Sequence, residues 1–346
     1  MKRIVFAVFM AMVIIVSLFA GCGPKKAKAY NLIFTTLIED KQSIHLIHPD
    51  GTHRLILTPR KLWSMNPAWS PDAANIAYVT ENENGGCDIW VVGADGSSPR
   101  RLTGNDPANT GTNNSDPVWS PDGRKLAYTS IINGKSQICV ISVADDNPAP
   151  AVTVLTSGNF DNTRPRWSPD GSKILFISDR DLNPEVYIMD ADGRGATNLS
   201  QNSANDDEAS WSPDGRMVLF RSDRDGNQEI YRMNADGTGQ VNLTRNPAND
   251  YDPCWSHDGG KILFISTRDL DETLYRMGAN GDAQTRLIIP EFKVRDPVWS
   301  PDDAKIACAV FTGVNWDIFA LDADGKNPIN LTQSPINEFE PLWAPR

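Results

Sequence analysis

The chain has 346 residues, 40% of them apolar, and a formal charge of −11. At this length about three quarters of the unfolded chain's surface is buried on folding, so a large core is available. The acidic balance argues against nucleic acid or anionic lipid headgroups as the main partner and leaves proteins, cations and neutral or basic ligands.

Lys2 and Arg3 precede an almost unbroken apolar run from Ile4 to Ala20. This is the pattern of a secretion signal, which takes no part in the fold. Leu18-Phe19-Ala20-Gly21-Cys22 resembles the bacterial lipobox, in which the cysteine is lipidated and becomes the first mature residue. Several acyl chains on Cys22 would hold the protein on a membrane, where one chain would not. The predicted organisation is a signal peptide over residues 1–21, a tether over 22–29 and one folded domain over 30–346. Loss of residues 1–21 leaves 31 basic and 44 acidic residues, a mature charge of −13. The remaining cysteines are Cys87, Cys139, Cys254 and Cys308, with no C-x-x-C pair to suggest zinc. Cys139 and Cys308 sit in strand-like runs and read as small buried hydrophobes. A Cys254–Cys308 bridge would join neighbouring repeats.

From there on a repeat governs the chain. Tryptophans recur at Trp69, Trp119, Trp167, Trp211, Trp255, Trp299 and Trp343, with intervals of 50 and 48 residues and then four of 44. A period of this size with strand and turn signals inside each unit marks a solenoid or propeller. In the clearest unit Trp211 closes a short strand and Ser212-Pro213-Asp214-Gly215 forms a turn. Met217–Phe220 is a second strand, Asp223–Asn227 a loop, and Ile230–Met233 a third strand. Asn234–Gly237 turns the chain again and Val241–Thr244 is the fourth strand. Four short antiparallel strands per unit make a propeller blade. The domain begins at Leu32-Ile33-Phe34 with a second strand and ends at Trp343 with a first strand. The two ends therefore complete one blade, closing the ring without an open sheet edge. The fold class predicted is all-β: a single seven-bladed β-propeller of four-stranded antiparallel blades, closed by the C-terminal strand. The chain is expected to be a monomer.

Trp-Ser-Pro-Asp-Gly, an apolar strand, Ser-Asp-Arg-Asp, Ile-Tyr-x-Met and Ala-Asp-Gly, recurring in register, resemble the TolB-like group of WD-repeat-type propellers. The resemblance covers residues 30–346. It implies an envelope location, on the periplasmic or extracytoplasmic face, and a protein-binding scaffold role with an envelope protein or peptide as partner. Two departures limit it: TolB carries a separate N-terminal α/β domain, and its propeller has six blades.

Residues present in every unit read as scaffold. Arg180, Arg224 and Arg268 occupy equivalent Ser-x-Arg-Asp positions and are expected to pin loops by charge-assisted bonds. In the family the strand before each tryptophan lines the central channel. Three residues before each stand Asn66, Asp116, Arg164, Glu208, Asp252, Asp296 and Glu340. Carboxylates gathered at one height would raise one another's pKa and attract cations. The functional reading is a channel mouth that binds a basic partner segment, or calcium or another cation. The alternative is a set of strand residues bonded to neighbouring backbone. The connecting loops over 104–115, 157–163, 201–207, 245–251 and 288–295 vary between units, as binding loops do. The additional residues around 109–115 and 145–151 account for the two long intervals. Asp223-x-Asp225-x-Asn227-x-Glu229 and its counterpart from Asp179 have oxygen-ligand spacing, but the full calcium-loop motif is missing, which favours a side-chain-bonded turn.

No catalytic residues are expected. His45 occupies a slot filled elsewhere by Tyr, Trp or Phe, His257 replaces a turn proline, and no G-x-S-x-G elbow is present. No cofactor is expected apart from a channel cation. The competing reading is a glycan-binding or polysaccharide-lyase-like propeller. Trp63 and Trp316 break the repeat and would be its sugar platforms. Trp316 is expected in a loop between second and third strands.

Overall fold

The computed structural model describes residues 32–104, 113–143, 151–287 and 293–346. Among these the chain forms seven four-stranded antiparallel sheets, each ordered from first to fourth strand, and no helix. Blades 1 to 6 begin at Ser64, Asn114, Asn162, Asp206, Asp250 and Val294. Blade 7 takes its first strand, Asn337–Trp343, from the far end of the chain and its others from Leu32–Ile38, Lys41–Ile47 and Leu55–Ile56. Leu32 pairs with Trp343 and Ile33 with Leu342. This is the closure that the mismatched ends require.

The second strands are continuous apolar runs because a neighbouring blade covers each face. Seven core clusters result, each drawn from two consecutive blades. Between blades 4 and 5, for example, Leu219 and Ile230 pack against Ile262, Phe264, Tyr275 and Met277. Phe264 is fully buried there. Phe264→Ala is expected to cost about 3–5 kcal/mol. Urea denaturation should show this as a lower midpoint at unchanged slope. Cys139 and Cys308 are buried in such clusters, and Cys254 and Cys308 are free thiols rather than a bridge.

Four of the seven repeated tryptophans stitch blade to blade by a hydrogen bond. Trp69, Trp119, Trp167 and Trp211 each donate from Nε1 to the carbonyl just before the tryptophan of the preceding blade, at 3.0–3.3 Å. For Trp69 that acceptor is Leu342, in the closing strand. In the Ser-Pro-Asp-Gly turns, Ser212 Oγ donates to Asp214 Oδ1 at 2.6 Å and accepts the Met217 amide at 2.9 Å, so the turn is bonded before the next strand begins. His257 replaces the proline and gains another tie. Its amide donates to Asp303 of blade 6 at 2.8 Å, and its Nδ1 lies 3.0 Å from the same carboxylate.

The loop arginines are structural, as expected. Arg268 Nη2 reaches the fully buried Asp250 at 3.0 Å, its Nε donates to Ser266 Oγ at 2.7 Å, and its guanidinium lies 4.5 Å over Tyr275. Arg224 repeats this with Asp206, Ser222 and Tyr231. Arg180 faces Asn162 instead. Arg268→Ala would leave the Asp250 carboxylate buried and unpaired, with an expected loss of about 3–5 kcal/mol. Thermal unfolding of the variant beside Arg180→Ala, which strands only an amide, should show the larger loss for Arg268.

Candidate functional site: the acidic channel

First strands of successive blades touch one another and so line the axis. Each contains a bulge in which two residues oppose one. The first bulge residue is in the left-handed region every time: Asn66 (φ 49°), Asp116 (53°), Arg164 (55°), Glu208 (53°), Asp252 (52°), Asp296 (52°) and Glu340 (53°). These are the seven residues singled out by the repeat. The left-handed conformation costs an L-residue about 1–2 kcal/mol. A bulge takes its residue out of the sheet's side-chain alternation and re-aims it, here toward the equivalent residue of the next blade. The Asp252 amide donates to Glu208 Oε2 at 2.9 Å and the Glu340 amide to Asp296 Oδ2 at 3.1 Å. The Asp296 amide bonds the Asp252 carboxylate in the same manner. In blades 4, 5 and 6 each carboxylate thus accepts the amide of its successor. Backbone bonding and gathering of charge, alternatives on the sequence, occur together.

Burial pushes Glu208 up to about 7. Arg221 opposes this, while Asp252 and Asp207 add to it. Burial and then Asp296 push Asp252 up to about 6 and Glu340 up to about 7. Asp296 is also raised by burial. Arg221 lies 3.0 Å from Glu208 and 2.5 Å from Asp207. On the other wall Arg164 and Arg166 stand exposed, and Arg166 donates from Nη1 to the Pro165 carbonyl at 3.0 Å. The channel is therefore polarised, with a contiguous acidic wall in blades 4 to 7 and Arg164 and Arg166 in blade 3.

An aromatic rim stands beside the acidic wall, and of its residues the sequence singled out Trp316 alone. Tyr251, Arg295 and Phe339 directly precede Asp252, Asp296 and Glu340. Trp316 lies between Phe311 and Phe339, at ring distances of 5.6 and 5.9 Å, with the Arg295 guanidinium 4.0 Å over it. Trp316 opens the third strand of blade 6, Trp316–Asp322, rather than lying in the preceding loop. The only other sequence signal was the change from Ser115 and Thr163 to large residues at the position before the ring. Trp63 is exposed between blades 7 and 1 and donates from Nε1 to Gln42 at 2.7 Å.

The calcium-like loop of blade 4 spends its oxygens internally. Asp225 accepts from Tyr231 and Asn242, Asp223 from the Asn205 amide, and Glu229 from the Asn246 amide. Among the described residues, no group of three His, Cys, Asp or Glu side chains is disposed to hold a metal ion. His45 is fully buried against Phe34, and its Nδ1 accepts from Arg54 Nε at 2.9 Å. Burial and the Arg54 charge hold its pKa down to about 3. It is a neutral packing residue rather than a base. Cys22 and parts of the loops over 104–115, 145–151 and 288–295 lie outside the described residues.

The family model of the TolB beta propeller domain matches residues 26–163, 116–242 and 225–346. The chain belongs to that family. The fold resembles the crystal structure of TolB from Acinetobacter baumannii, with a TM-score of 0.59 and 23% identity over 92% of this chain and 83% of that one. It also resembles an oligogalacturonate lyase from Vibrio parahaemolyticus, with a TM-score of 0.64 and 14% identity over 87% of this chain and 84% of that one. At those identities the likeness is one of fold. Among curated proteins, the uncharacterized peptidase YuxL of Bacillus subtilis is 32% identical over 74 residues, which are 21% of this chain and 10% of that protein. This TolB-family chain thus aligns with about a tenth of that relative's length and about half of another's.

Proposed function

We propose that this propeller is a non-enzymatic scaffold of the cell envelope that binds a cationic segment of another envelope protein at its channel mouth. The observation that carries this reading is the acidic wall formed by Glu208, Asp252, Asp296 and Glu340, four consecutive carboxylates at one level with aromatic side chains beside them. Partly buried carboxylates that raise one another's pKa lower their own cost by gathering positive charge. Aromatic faces beside them add cation–π attraction for Lys or Arg. Lipidation of Cys22 would complete the arrangement.

The test is recovery of partners from detergent-solubilised envelope by the mature protein and by an Asp252→Ala, Asp296→Ala variant. At least one envelope protein should be recovered tenfold less by the variant. Equal recovery of every partner would remove the acidic wall from the account. The aromatic rim also favours a second reading, in which Tyr251, Trp316 and Phe339 stack a neutral sugar. A glycan array, with an ultraviolet assay for unsaturated lyase products, separates the two; silence on both leaves the protein partner.

A further inference from the structure

At the turn end of the propeller the gaps between blades are closed in different ways. The third strand of blade 4, Glu229–Asn234, carries Arg232 at its fourth position. Arg232 crosses the gap and donates from Nη1 to the Ala279 carbonyl of blade 5 at 2.7 Å. Arg276 of blade 5 does the same to Ala323 of blade 6 at 2.6 Å. Between blades 1 and 2, Arg100 reaches the Val143 carbonyl at 2.9 Å from the fourth strand. Blade 3 has Ile188 at the equivalent position of Glu185–Asp190, as blades 1, 2, 6 and 7 have Val91, Val140, Ala320 and Leu46, and Ile188 lines the gap to blade 4 together with Ala235. Ile188 has no donor, and the gap opens as a crevice of about 730 Å3 lined by Ile188, Leu199, Trp211, Ala235, Asp214 and Asp236 among others.

We propose that this crevice is a binding site for a guanidinium group supplied by another molecule. Its stem would lie along Ile188 and Leu199, its plane on the Trp211 ring, and an N–H would reach Ala235. The molecule fills two homologous gaps with the same group, against the same kind of carbonyl. A guanidinium presents a planar fork of donors and is weakly hydrated, so it enters an apolar slot more readily than an ammonium does. Trp211 is held in place by its own bond to Arg166 at 3.2 Å and offers a fixed face for cation–π contact. Hydroxyls of Ser212 and Thr238 hold the Asp214 and Asp236 carboxylates below their usual range, so both are anionic at neutral pH. The site lies at the opposite end of the blades from the aromatic rim and does not depend on the channel reading.

The test is titration of the mature protein with agmatine and with N-acetyl-arginine methylamide, followed by the Trp211 indole resonance. N-acetyl-citrulline methylamide serves as the neutral isostere. Saturable shifts at about millimolar concentration are expected for the guanidinium probes and not for the citrulline one. Ile188→Arg should fill the crevice from within and weaken binding at least tenfold. Asp236→Asn, on an exposed turn, should weaken it severalfold without disturbing the fold. Arg232→Ile should open a second site and be stabilised by agmatine more than the wild type is. A tighter arginine amide points to a protein side chain as the natural ligand, and tighter agmatine to a free metabolite. Equal titration by wild type and the Ile188 and Asp236 variants, or equal binding of citrulline, would overturn the assignment.

Discussion

Removal of residues 337–346 is expected to abolish stable folding although it takes away one strand of one blade. The lost strand contributes Trp343 to the core shared by blades 6 and 7. Its Leu342 carbonyl accepts the bond from Trp69 that joins blade 7 to blade 1. Its buried Glu338 pairs with Arg54 at 2.8 Å. A buried Trp truncation alone costs about 3–5 kcal/mol, and loss of the Leu342 acceptor and of the Glu338–Arg54 pair adds to it. Against a total of about 5–15 kcal/mol, little stability remains. The deletion also bares the edge of Leu32–Ile38, a strand whose first five residues are buried. Such an edge is a template for pairing between chains. Circular dichroism should show no cooperative transition near that of the intact protein, and size exclusion should show aggregates. A synthetic peptide of residues 337–346 added during refolding should restore part of both. A monomeric deletion with unchanged melting temperature would mean that the ring does not need its clasp.

The architecture was legible because a propeller writes one packing solution seven times. The Trp that stitches adjacent blades, the Ser-Pro-Asp-Gly turn and the apolar second strand must each recur, and recurrence separates signal from composition. The blade count followed from the chain's mismatched ends. Repetition also placed the ring, since Asn66 and its six counterparts stand at a constant offset from each tryptophan. It did not show that all seven have positive φ, because a bulge depends on register between strands rather than on residue type. Nor did it show the aromatic rim. Phe339, Trp316 and Phe311 belong to different strands, and Trp316 read as a loop residue because blade 6 extends its third strand by one position relative to blade 4. The crevice at Ile188 was hidden for the opposite reason. An apolar residue in a strand looks like core, as Val140 does at the same place in blade 2, until blades 4 and 5 show arginine there.

The largest pH effect is expected from the ring. Glu208, Asp252 and Glu340 are raised to about 7, 6 and 7 in the folded protein, and Asp296 is raised as well, chiefly by burial. In the unfolded chain they titrate near 4 to 4.5. Between those limits the folded state holds more protons than the unfolded state, so stability falls as pH rises from about 4 to 7 and is flat above. The turn carboxylates act in the other direction. Ser168 and the Ser172 amide hold Asp170 down to about 2, and Asp122 and Asp214 are lowered by equivalent hydroxyls. Their contribution is present above about 4 and lost as pH falls through their folded values. Stability should therefore peak near pH 4 to 4.5. The alkaline loss should be about 3 kcal/mol, allowing for water in the channel and for Arg221. A Glu208→Gln, Asp252→Asn, Asp296→Asn, Glu340→Gln variant should flatten the alkaline limb, melting about 5 °C higher at pH 8 and within a degree or two of wild type at pH 4.5. Each amide keeps an oxygen for the neighbouring N–H, so the bulges survive while the charge goes. The same variant should lose the cationic partner. A protein that became more stable and bound nothing would show that the ring's charge is kept for binding at the expense of the fold. An unchanged pH profile would show instead that the four carboxylates are well solvated, and the acidic wall would lose its physical basis.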